Sequence, residues 1–142
     1  EQQEREWGEE VITLSEYFQG RDEQFANELT SELRVNAEVT VARVNALLSH
    51  FGQDRIVNSG WRPRAVNSAT LGAAIKSKHM TCEACDLQDA DGDLDDWCMD
   101  NQQILEELRL WLEHPASTKN WTHIQCVPYK SWKPGKPVWF YP

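Results

Sequence analysis

At 142 residues, with 40% hydrophobic content and seven Trp, the chain is long enough to bury one core without staples and too apolar to be disordered. Its net charge of −9 argues against nucleic acid, whose binding needs a basic footprint, and gives no electrostatic reason to attach to an anionic membrane. No apolar run has the length of a membrane span, and residues 1–6 carry no apolar core of a signal peptide. A single domain over residues 1–142 follows, with residues 1–10 as a solvated lead-in, and a monomer is expected.

Residues 11–18 form a short apolar segment ahead of the turn-prone Gly20, Arg21 and Asp22. Thr30 or Ser31 then caps a helix running to His50, with Leu33, Ala37, Val41, Val44 and Leu48 at helical spacing. Leu47 and Phe51 widen that stripe, and Gly52 is a fitting stop. Residues 55–60 read as a strand running into Trp61, Arg62 and Pro63. Residues 64–69 read as one or two helical turns, and residues 72–78 as a loop. Residues 83–87 form a short buried strand. The acidic stretch 89–96 is either a calcium loop or a capped helix start, and it lacks the glycine and glutamate placement of an EF-hand. A helix over 93–108 follows, with Asp93 as N-cap and Leu94, Trp97, Ile104, Leu105 and Leu108 facing inward. Residues 110–112 and 121–127 read as strands separated by a turn, and residues 138–141 pair or pack at a sheet edge. The expected fold is a small α+β domain with a mainly antiparallel sheet and packed helices.

The chemistry gathers in Ser77-Lys78-His79-Met80-Thr81-Cys82-Glu83-Ala84-Cys85-Asp86 and in Trp121-Thr122-His123. Catalytic zinc commonly takes three protein ligands from His and carboxylate, leaving a position for water. His79, Asp86 and His123 supply that set. Strand alternation puts Ala84 and Asp86 on one face and Cys85 and Leu87 on the other; likewise His123 and Gln125 oppose Ile124 and Cys126. His79 sits in the loop just ahead, where a turn can curl it toward Asp86. The four cysteines at 82, 85, 98 and 126 read as buried thiols, as disulfides or as a second metal site. Alternation puts Cys82 on the Asp86 face. His50, at a helix end, and His114, before a Pro turn, read as structural. Trp61, Trp97 and Trp111 read as core, whereas Trp121, Trp132 and Trp139 either pack or line a groove.

These motifs resemble the zinc D-alanyl-D-alanine peptidases and their phage endolysin relatives, which include L-alanyl-D-glutamate peptidases. Ser59-Gly60-Trp61-Arg62, Ser77-x-His79 with Asp86, and Trp121-Thr122-His123 occur in the family's order, and the likeness spans about residues 11–125. The resemblance implies one zinc ion and cleavage of peptide bonds in the peptidoglycan stem. It makes Arg62 the residue that polarises the scissile carbonyl or holds the oxyanion, and Ser77 a substrate-positioning serine. Gln125 and Trp121 would contact substrate. Many members carry Glu or Asp three residues before the last His, as general base; this chain has Asn120, whose amide cannot take a proton. Glu113 and Glu83 are the candidates to replace it. Cys82 stands where the family has Gly. The alternative reading, motivated by Asn120, is a non-catalytic zinc-containing protein of the cell wall on the same fold.

Overall fold

The computed structural model describes residues 11–142, so the lead-in expected over residues 1–10 lies outside the described residues. Thr13 closes a capping box with Glu16: its hydroxyl accepts from the Glu16 N–H, and the Glu16 carboxylate accepts from the Thr13 N–H, both at 3.0 Å. This starts α1 (Leu14–Phe18), which buries Tyr17 and Phe18. Residues 20–22, expected as a turn, instead open α2 (Arg21–Gln24), because Gly20 at φ +79° reverses the chain and lets a second helical turn begin at once. α3 (Ser31–Phe51) runs as its periodicity predicts, with Thr30 accepting from the Leu33 N–H at 3.2 Å and Gly52 at φ +85° ending it. Ala37, Val41, Val44, Leu47 and Leu48 are its buried stripe, and Leu33 and Phe51 pack at the margin.

Five strands follow: β1 (Val57–Ser59), β2 (Ala84–Gln88), β3 (Trp111–Glu113), β4 (Trp121–Gln125) and β5 (Trp139–Phe140). They form one sheet in the order β1-β2-β4-β3-β5, antiparallel except for the β3–β5 pair. The domain is therefore α+β with a mainly antiparallel sheet. Cys85, Leu87, Leu112 and Ile124 join the stripe of α3 in the core. Because side chains alternate along a strand, Asp86 and His123 are turned to the other face. Register places them directly opposite each other, with Ala84 opposite Gln125. The tail adds β5 at the sheet edge, beside β3.

Two expectations fail at the helix after β2. The helix expected over 93–108 is two helices, α5 (Asp93–Asp100) and α6 (Gln102–Leu108). They part at Asn101, whose side chain donates to the Trp97 carbonyl at 2.8 Å and competes with the backbone ladder. Asp93 is not the cap either. Gly92 holds that position at φ +77°, and the buried Asp89 carboxylate reaches over to accept from the Leu94 and Asp95 N–H groups at 3.0 and 2.9 Å. Arg55 and Thr122 also donate to Asp89, so its oxygens serve the capped helix start. Between β1 and β2, α4 (Arg64–Ala69) appears where it was expected.

All four cysteines are free thiols, and Cys82, Cys85 and Cys98 are core residues. Cys82 does not share the Asp86 face, because alternation fails before β2 begins. Its backbone is left-handed at φ +60°, which turns the side chain into the core. That is the conformation for which glycine is suited, so the family's Gly at this position has a conformational reason. Burial pushes the Cys82 thiol up to about 12, so it stays protonated.

Candidate metal centre

Three side chains converge on the outer face of the sheet. His79 Nε2 lies 3.2 Å from Asp86 Oδ2, and His123 Nδ1 lies 2.8 Å from Asp86 Oδ1. One ligand atom from each of the three falls within 4.8 Å of the others. β2 and β4 fix Asp86 and His123 through their register. His79 is delivered by a turn: the Ser77 hydroxyl accepts from the His79 N–H at 3.1 Å, and the His79 carbonyl accepts from the Arg62 N–H at 3.1 Å. Trp61, buried beneath, donates its indole N–H to the Met80 carbonyl at 3.2 Å and pins the same turn.

The outer hydrogen bonds decide which nitrogens face the cluster. His79 Nδ1–H donates to the Gly60 carbonyl at 2.8 Å, so its Nε2 carries the lone pair. That Nε2 is buried and has no hydrogen-bond partner. On His123, Nε2–H donates to Gln125 Oε1 at 2.9 Å, while the Gln125 amide N–H₂ donates to the Val127 carbonyl at 2.7 Å and so fixes which end of the amide faces the ring. His123 Nδ1 is then the atom aimed at Asp86. Two imidazole lone pairs and a carboxylate pointing at one spot repel one another unless a cation sits among them. The donor set suits zinc: neutral imidazole nitrogens oriented by hydrogen bonds at the far side of the ring, plus one carboxylate oxygen.

The charges of the site follow from the same contacts. Burial pushes the Asp86 carboxyl up, but its contacts with His123 and His79 outweigh that and hold the group well below the usual carboxylate range. Arg62 also reaches the carboxylate, with Nη2 donating to Asp86 Oδ2 at 3.2 Å. Burial drives the His79 imidazole down, toward its neutral ligand form. Burial alone would lower His123 too, yet its contact with Asp86 outweighs that and raises it. Arg62 is itself held at Nε by the Ser59 hydroxyl at 3.0 Å and at Nη1 by Asn67 Oδ1 at 3.4 Å. Ser59, Gly60 and Asn67 thus position the site. The Ser-Gly motif contained the first two; no sequence signal marked Asn67.

Of the remaining expected residues, Arg62, Ser77, Glu113, Trp121 and Gln125 all line the groove that opens over His79, Asp86 and His123. Asn120 does not. It is exposed at φ +77° in the turn before β4, where its carbonyl accepts from the Asp89 N–H. Glu113, half-buried on β3, follows Leu112, which pairs with the residue after His123 on β4. Burial raises its carboxyl, opposed by the charge of His123. Glu83 is absent from the groove lining. Trp132 packs edge-on against the buried Trp111, at 5.0 Å between centroids. His114 is structural as expected, accepting from the Ala116 N–H and stacking on Tyr141.

Fold and site together define a small α+β domain with a candidate metal-binding triad at the foot of an open groove. The chain belongs to the Peptidase M15 family, whose profile matches residues 10–125. These are metallopeptidases that use zinc. No individually curated protein matches the chain.

Proposed function

We propose that this protein, acting as a monomer, hydrolyses peptide bonds in peptidoglycan stem peptides with one zinc ion held by His79, Asp86 and His123. The observation that carries the reading is the buried, unpartnered His79 Nε2, aimed at Asp86 while its Nδ1–H is anchored on Gly60. A buried polar atom without a partner costs stability, and a metal ligand is the role that compensates for it here.

Zinc held there supplies Lewis acidity, polarising a carbonyl and making water more acidic. The protein's own groups do the rest. Arg62 is pre-organised by Ser59, Asn67 and Asp86, so its guanidinium meets negative charge developing on the scissile carbonyl oxygen without reorganising. Glu113 accepts a proton from the attacking water and returns it to the leaving amine. Its half-buried place in the groove and its raised carboxyl fit proton exchange closer to neutral pH than an ordinary glutamate allows. Asn120 is exposed and outside the groove, so on this reading the base comes from Glu113 instead. Ser77 and Trp121 offer a hydroxyl and a ring face to the substrate, while Gln125 acts chiefly by orienting His123.

Mass spectrometry of soluble muropeptides incubated with the zinc-loaded protein tests this. Chelator-sensitive loss of terminal D-Ala, or a cut after L-Ala, is expected and names the bond. An unchanged digest with zinc still bound would establish the non-catalytic alternative.

A further inference from the structure

The charge of this chain is segregated along its sequence. Every one of the 23 acidic residues lies within 1–54 or 83–113. Segments 55–82 and 114–142 contain no Asp or Glu and carry nine of the fourteen Lys and Arg, including all six Lys. The fold brings these two segments together. Every residue lining the groove comes from one or the other, except Asp86 and Glu113. Lys76 and Lys78 stand on the loop between β1 and β2, at one edge of the sheet. Lys130 stands on the tail beside β5, at the other edge. None of the three forms an ion pair among the described residues, unlike Arg62 and Arg55. Beyond Lys130 the surface continues past Tyr129 and Lys136 into an adjoining hollow. Residues 126–142, which carry Tyr129 and Lys130, lie beyond the match to the family profile.

A cleft whose rim is basic, in a protein of opposite net charge, concentrates ligands of the complementary sign, and here the two carboxylates, Asp86 and Glu113, are outnumbered by Arg62, Lys76, Lys78 and Lys130. We infer that the groove selects peptides carrying free carboxylates on both sides of the bond to be cut, and discriminates against the same peptides with those carboxylates amidated. Lys76 and Lys78 meet one carboxylate and Lys130 the other. The inference rests on the peptidase reading for the identity of the ligand, but not for the charge of the groove. The contacts are solvent-exposed, so the preference is modest at each lysine and falls with salt.

The test is calorimetric binding of two muropeptides that differ only in amidation of their stem carboxylates. Chelator-treated wild-type protein, which cannot turn them over, is compared with Lys76→Gln/Lys78→Gln/Lys130→Gln, whose fold is checked by circular dichroism. At low salt the free-acid peptide is expected to bind wild type about tenfold more tightly than the amidated one. The gap should close in the triple variant and shrink in 0.5 M salt. Equal binding of both forms, no measurable binding of either, a preference surviving in the triple variant, or tighter binding of a single-stranded oligonucleotide would each overturn the inference. Zinc-loaded protein is then tested for cleavage. Free-acid peptide that binds selectively but is not cut would defeat the peptidase reading and leave the charge selection standing.

Discussion

Gly60 offers a sharp test of how the sequence builds the site. A Cβ placed there would lie 2.0 Å from the Tyr17 carbonyl oxygen and 2.8 Å from both Tyr17 C and Cδ1. Tyr17 cannot yield easily, since it is fully buried and its hydroxyl donates to the Ala84 carbonyl at 2.8 Å. Gly60→Ala therefore forces backbone apart, where overpacking costs about 1–3 kcal/mol, and the contact with a main-chain oxygen puts this variant near ~3 kcal/mol. The shift also moves the Gly60 carbonyl that orients His79, and loss of such an outer hydrogen bond costs about 10–100-fold in metal affinity. Urea unfolding of the chelator-treated proteins gives the first quantity, and competitive zinc titration the second. A Gly60→Ala protein within about 0.5 kcal/mol of wild type, binding zinc equally well, would refute the reasoning.

Three further outcomes are expected. Glu113→Gln should lower kcat by about 10²–10⁴-fold while leaving zinc content unchanged, measured by turnover and metal analysis; full activity would remove Glu113 as the base. Gln125→Leu should weaken zinc binding by about tenfold, since His123 loses the acceptor that fixes its ring, and titration with a competing chelator reads this directly. Asp95 should make stability pH-dependent. It is buried, its Oδ1 has no partner, and burial pushes its carboxyl up to about 7 although the Thr118 hydroxyl donates to Oδ2. The folded protein keeps this proton while the unfolded chain has lost it above about pH 4, so stability falls as pH rises from about 4 to 7 and then levels. Asp95→Asn should flatten that slope and gain about 1–2 kcal/mol at pH 8 after screening, read by denaturation at pH 5 and pH 8.

Much of the site was legible because its chemistry rides on strict strand alternation. Two residues of period two put Asp86 and His123 on outer faces, and the antiparallel register then made them partners. The long helix was legible for the same reason, with one clean stripe, a hydroxyl cap and a terminal Gly. What stayed hidden depends on contacts between distant segments. Glu113 could be named from the sequence only alongside Glu83, because its place beside His123 comes from the pairing of β3 with β4, which no local pattern specifies. The break at Asn101 escaped because the apolar period continues through it. Asp89 escaped as a cap because it lies four residues before the first helical residue, outside the usual capping spacing. Cys82 misled because alternation was extended into a residue whose positive φ breaks it.

The measurement that bears most directly on a zinc peptidase built on His79, Asp86 and His123 is hydrolysis of a muropeptide as zinc is returned to chelator-treated protein in sub-stoichiometric steps. Activity should rise linearly and level at one equivalent, and His123→Ala should stay inactive throughout while remaining folded. Hydrolysis by the metal-free protein, or by His123→Ala at one equivalent of zinc, would contradict it.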